Sequence, residues 1–188
     1  MNVLKNIVLF GLLLGVCVNC GPRKTQAELA KEENVYNELK RIANSAAFKF
    51  TANAAYNIQG NDVVPVTNEL LRQTENANGR YSLSANEDYM IVSKDSVKAN
   101  LSYFGELRTV AYADARDNNI VFEGNPTNFV VKENDRKKTV SINFKVKGES
   151  EQFTVKMTLF SKEYCNVSIY GSNRTAIRYE GEISAISK

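Results

Sequence analysis

From Phe48 onward the chain alternates apolar and polar positions. Val140, Ile142, Phe144 and Val146 interleave with Thr139, Ser141, Asn143, Lys145 and Lys147. Phe153, Val155, Met157 and Leu159 interleave with Gln152, Thr154, Lys156 and Thr158. The same period runs through Val97, Ala99, Leu101 and Tyr103, and through Ile177, Tyr179, Gly181, Ile183 and Ala185. A period of two with one polar face marks the strands of an antiparallel sheet. Weaker strands are expected at 49–53, 63–67, 80–85, 89–92, 120–123, 129–132 and 165–170. Short polar clusters at 93–96, 133–138, 147–151, 161–163 and 171–173 are hairpin-sized connections. Two polar stretches, 68–79 and 106–119, are long for hairpin turns and read as loops.

Ahead of the strands the period is helical. Thr25-Gln26-Ala27-Glu28 matches the capping box, in which Thr accepts from a first-turn amide and Glu reaches back to the cap. A helix over 26–47 follows. Leu29, Tyr36, Leu39, Ile42, Ala43 and Ala46 form a narrow apolar stripe, and Glu28, Lys31, Glu32, Glu33, Glu38, Lys40 and Arg41 populate the other side. Such a stripe docks on a sheet; the alternative is a docking surface for another protein. No long helix separates the strands, which argues against a parallel sheet. The predicted fold is mainly β, with an N-terminal helix plus an antiparallel meander over 48–188. The meander curls into a lipocalin-like β-barrel or splits into a β-sandwich. Closure would also remove exposed strand edges.

The first twenty residues obey neither period. Lys5 is their only charge, the stretch from Ile7 to Val18 is apolar apart from glycines and Cys17, and Asn19-Cys20-Gly21-Pro22 ends it. A positive start, a short apolar core and a break make a secretory signal, and the core falls short of the ~20 residues of a spanning helix. A cysteine closing such a core resembles a bacterial lipoprotein signal. The reading is a signal peptide over 1–19, lipidation on Cys20, and a tether over 20–25. Cys17 is the competing lipidation site, and plain secretion without lipid is the alternative to both.

Composition narrows the chemistry. With 43% hydrophobic, 10% aromatic and 24% charged residues, the chain can bury an ordinary core. A net charge of +3 is too small a bias to argue for nucleic acid, and the sequence shows no clustered basic groove. The chain has no His, so neither a Ser-His-Asp or Cys-His nucleophile pair nor a His-based metal site can be built. With Cys17 lost in the leader and Cys20 taken by lipid, Cys165 stands alone, so no internal disulfide is expected. No cofactor and no metal are expected. Asp62, Asp114 and Asp117 lie in or near loops, but their spacing does not match a calcium loop.

Two constellations remain. Tyr103, Phe104, Arg108 and Tyr112 gather where a strong strand gives way to a loop, and Asn173 and Arg174 join them if the two loops share one end. Tyr and Arg together suit a recognition surface; the alternative is that Tyr103 and Phe104 plug the core end while Gly105 permits a turn. Glu180 and Glu182 lie on one face of a strand, about 7 Å apart by strand rise. That separation suits an inverting glycosidase, yet the alternation puts both on the wet face, and no catalytic residue is assigned.

At Leu101-Ser102-Tyr103-Phe104-Gly105 the chain resembles a family of Bacteroidetes lipoproteins built on a domain of unknown function. The resemblance runs over 47–186. It also rests on Tyr112, on Ile120-Val121-Phe122-Glu123-Gly124, on Phe144-Lys145-Val146-Lys147-Gly148-Glu149, and on Ser172-Asn173-Arg174 before Ile177-Arg178-Tyr179-Glu180-Gly181. It implies export and a β-rich fold, and brings no activity, substrate or cofactor. In the proteins it resembles, an acidic cluster after the lipidated cysteine marks delivery to the cell surface. Here basic Gly21-Pro22-Arg23-Lys24 follows, which implies an outer-membrane anchor facing the periplasm. Asp95-Ser96-Val97 resembles the O-glycosylation acceptor of that phylum, with Ser96 as the modified residue. The expectation is a non-catalytic envelope lipoprotein, attached to the membrane through its lipid. It would hold a small apolar or amphiphilic ligand, or an envelope protein, at the Tyr103–Tyr112 end. The alternative is an accessory subunit that docks on a complex through its helix.

Overall fold

The alternating segments pair into one antiparallel sheet. In a computed structural model, residues 24–58, 79–84, 87–108, 119–149 and 151–186 are described. They form α1 (Gln26–Ser45) followed by β1 (Phe48–Asn57), β2 (Arg80–Ser82), β3 (Tyr89–Ser93), β4 (Ser96–Leu101) and β5 (Ile120–Gly124). Then come β6 (Thr127–Asn134), β7 (Thr139–Lys147), β8 (Gln152–Leu159), β9 (Cys165–Gly171) and β10 (Ile177–Ala185). The expected strand at 63–67 and most of both expected long loops lie outside the described residues.

The strand order is β5-β4-β3-β1-β10-β9-β8-β7-β6, with β2 on β1. The first strand thus pairs with the last, Phe48 facing Ala185 and Asn57 facing Ile177. The meander curls into a half-barrel. Among the described residues β5 and β6 are its two edges, although only residues 125 and 126 separate them. The helix plus curled antiparallel meander is as expected; among the described residues the curl stops at a half-barrel, and the expected removal of edges is incomplete.

A bulge between Ala52 and Ala54 lets β1 serve two partners on one side. Its first half, Phe48 to Thr51, pairs with β3; its second half, Ala54 to Tyr56, pairs with β2. Gly181 faces Ala52 at this point, and a Cβ there would run into the Thr51 carbonyl and the Ala52 backbone. The glycine is therefore set by close approach of two backbones.

The chain divides into two units, residues up to Glu32 and residues from Glu33 on. In the first, the capping box forms as expected: Thr25 N donates to Glu28 Oε2 at 2.7 Å, and Glu28 N donates to Thr25 Oγ1 at 3.3 Å. These bonds hold the Glu28 carboxyl below its usual range. In the second, Tyr36, Leu39, Ile42 and Ala43 are buried in one core with Phe50, Met90, Phe122, Phe144, Phe153, Met157 and Tyr179. Tyr36 OH donates to Asp135 Oδ1 at 3.0 Å, and Lys138 and Lys162 pair with Glu33 and Glu38. The β6–β7 and β8–β9 turns thereby grip the helix. Each fully buried aromatic or aliphatic side chain stabilises by about 1.5–3 kcal/mol.

The helix ends at Ser45, before the expected 47, because Ala46 adopts φ 46°. That left-handed C-terminal position ordinarily takes glycine. Ala46→Gly is expected to raise unfolding free energy by about 1 kcal/mol in urea titrations. Gly181→Ala, by forcing β1 from β10, is expected to lower it by about 1–3 kcal/mol.

Candidate binding site at the end of the sheet

β4 carries its inward alternation one step past its last ladder pair, so Tyr103 enters the interior and is 8% exposed. Its hydroxyl lies 2.8–3.0 Å from Thr175 Oγ1, Thr175 O and Glu106 O. Burial pushes the Tyr103 phenol above its ordinary value. The chain beyond it is laced to the segment after β9. Glu106 N donates to Thr175 Oγ1 at 3.1 Å, Thr175 N to Glu106 O at 3.0 Å, and Arg108 N to Asn173 O at 2.8 Å. Gly105 is required here, since a Cβ would strike the Tyr103 hydroxyl and Thr175 Oγ1.

Arg174 lies beneath this lacing. Its guanidinium carbon is 4.7 Å from the Tyr103 ring centre and 5.5 Å from that of Phe153. Arg174 Nε donates to Glu151 Oε1 at 2.6 Å, and Asn173 N donates to Glu151 Oε2 at 3.2 Å. The two side chains are only 10% and 3% exposed, so this is a buried ion pair. A Cβ on Gly171 would meet both the Glu151 carboxylate and the Arg174 stem. Both carboxylate oxygens of Glu151 are thereby engaged.

Tyr103, Phe104, Asn173 and Arg174, with the Arg108 backbone, are therefore brought to one end, as their loops sharing an end would require. Tyr103 and Arg174 are turned inward and close the core there. Phe104 keeps 37% exposure and stacks on Tyr81, with ring centres 4.3 Å apart and planes 3° apart. Asn57 Nδ2 donates to the Phe104 carbonyl at 2.9 Å. Tyr112 and Cys20 lie outside the described residues. Ser96 is exposed at the start of β4.

Sequence reasoning passed over Glu151, Thr175 and Tyr81. For Glu151 a signal existed: counting back in twos from Leu159, Met157, Val155 and Phe153 lands on it, so a charge occupies an inward position. Glu180 is not half of a carboxylate pair. It accepts from Tyr56 OH at 2.9 Å and sits 3.8 Å from Arg178, while Glu182 is exposed. Cys165 is buried, its thiol pushed up to about 12 chiefly by burial, with Glu163 and Glu182 adding to the shift. Among the described residues no cluster of acidic or sulfur ligands could hold a metal ion, and no helix is long and apolar enough to cross a membrane.

These features define an antiparallel half-barrel carrying one helix, closed at one end by a buried Arg–Glu pair. Residues 30–183 match the family described as domain of unknown function DUF4251, and the chain belongs to that family. Among solved structures it is similar to a DUF4251 family protein from Bacteroides eggerthii. The TM-score is 0.54 at 12% identity, over 83% of this chain and 91% of that one, which is a likeness of fold. No curated protein matches.

Removing one member of a buried pair leaves the other charged and unpaired, at a cost of about 3–5 kcal/mol. Arg174→Ala is expected to lose that much in chemical denaturation. The double variant Glu151→Gln with Arg174→Met is expected to lose clearly less than Arg174→Ala alone.

Proposed function

We propose that the chain is a lipid-anchored, non-catalytic module of the bacterial envelope. It sits at the outer membrane facing the periplasm and works by binding at its outer surface. The observation that carries this reading is the filled interior. Phe122, Phe144, Phe153, Leu159 and Tyr179 occupy the space between the inward faces, the helix stripe from Tyr36 to Ala43 covers it, and Tyr103 with Arg174 closes the far end. A ligand inside the half-barrel would have to displace close-packed side chains, at several kcal/mol each. The Tyr36–Ala43 part of the helix stripe is equally committed, which disfavours docking on a complex through that part, while Leu29 of the same stripe stays 46% exposed. Non-catalytic action is supported by the engagement of the buried carboxylates: Glu151 with Arg174, and Asp88 with the Ser102 amide at 2.6 Å. The anchor rests on the leader pattern before Cys20 and on the lipoprotein family that the motifs resemble.

The test is palmitate labelling with membrane fractionation in a bacterium of the same phylum. The parent chain is expected to carry label and sediment with outer membranes, while Cys20→Ala loses label and moves to the soluble fraction. Label retained on Cys20→Ala but lost on Cys17→Ala would move the lipid to Cys17, and a parent chain that takes no label would overturn the anchor. Native mass spectrometry of the purified chain is expected to show polypeptide plus lipid alone; a stoichiometric small guest would overturn the surface-binding reading.

A further inference from the structure

Strand register gathers lysines that the linear sequence keeps apart. In β6 to β9, inward positions are taken by residues such as Ile142, Phe144, Val155 and Val167, so their neighbours point outward. Lys132 faces Ser141, Lys145 lies between Thr127 and Thr154, Lys147 faces Gln152, and Lys156 lies between Asn143 and Ser168. All of these lysines are exposed, and among the described residues none makes an ion pair. No Asp or Glu occupies an outward position of these strands. Glu133 belongs to the inward set and accepts from Asn44 Nδ2 at 3.1 Å.

A lysine on an edge strand discourages pairing with other chains, which accounts for Lys132 on β6. It does not account for Lys145, Lys147 and Lys156, because β7 and β8 are paired on both sides. An ordinary solvated face mixes both signs; this one carries a single sign. Lys145 and Lys147 stand about 7 Å apart along one strand, and Lys156 is diagonal to Lys145, about 7–8 Å away. Tyr170, 40% exposed, lies beside them with Lys156 Nζ 5.0 Å from its ring centre.

We propose that the outward face of β6–β9 binds an anionic polysaccharide. The lysines meet carboxylate or sulfate groups along the polymer, while Asn143, Thr154 and Ser168 between them meet hydroxyls. Tyr170 offers an aromatic platform to the apolar face of a sugar ring. The outside of a half-barrel is convex, so a flexible chain can follow it where a bilayer would touch along a line. This inference stands apart from the lipid anchor, and either can fail without the other.

The test uses the mature chain with polygalacturonate and chondroitin sulfate, and with dextran, duplex DNA and phosphatidylglycerol vesicles as comparisons. Expected is binding to at least one anionic polysaccharide that weakens with salt, and none to dextran. The variant Lys145→Gln/Lys147→Gln/Lys156→Gln is expected to bind about tenfold more weakly with an unchanged melting temperature. Tyr170→Ala is expected to lose affinity while keeping the salt dependence. Failure of both polysaccharides, or full affinity in the triple variant, would overturn the proposal. So would full affinity in Tyr170→Ala, or tighter binding to DNA or vesicles.

Discussion

A sheet that is apolar on one side only must have that side covered, and in this chain its own side chains do the covering. Alternation makes the inward face of β1 to β10 a continuous apolar surface, and curling turns it upon itself. The helix stripe from Tyr36 to Ala43 supplies one cover. At the other end the cover contains a charge, and a charge can be buried there only because Glu151 answers Arg174 and aromatic rings enclose the pair. With both covers in place, the inward apolar side chains of the described residues are packed against one another.

The end segment shows how residues suited to a recognition surface can instead turn inward, as Tyr103 and Arg174 do. Tyr and Arg favour recognition surfaces because they combine area with directed hydrogen bonds. The same properties suit a lid that must be apolar beneath and satisfied above. What decides between the two is the supply of partners: Tyr103 finds Thr175 and Glu106, and Arg174 finds Glu151, so both turn inward. Phe104 has no polar group to satisfy and remains at the surface on Tyr81.

The strong strands were legible because their period is local: Val140 to Val146 and Phe153 to Leu159 announce their own faces. The helix start was legible for the same reason, through Thr25 and Glu28. Its end was not, since Ala46 carries no sign of a left-handed conformation. The order of strands, the bulge in β1 and the incomplete closure depend on contacts between distant residues, such as Gly181 against Thr51. Such contacts have no trace in period. Whether Asn173 and Arg174 share an end with Tyr103 was open in the sequence, and the inward turn of Arg174 depends on Glu151, which lies in a segment that reads as a polar turn. The lysine face was only half legible: Lys145 and Lys147 share the polar side of one strand, but only register brings Lys156 beside Lys145.

Amide hydrogen exchange on the segments around Tyr103 and Arg174 tests most directly whether this end is a seal. The backbone amides of Glu106, Arg108 and Thr175 are each engaged across the two segments. If the segments close the core, these amides exchange only through openings whose free energy approaches that of global unfolding. Exchange as fast as in a free loop, with β7 and β8 still protected, would contradict the account.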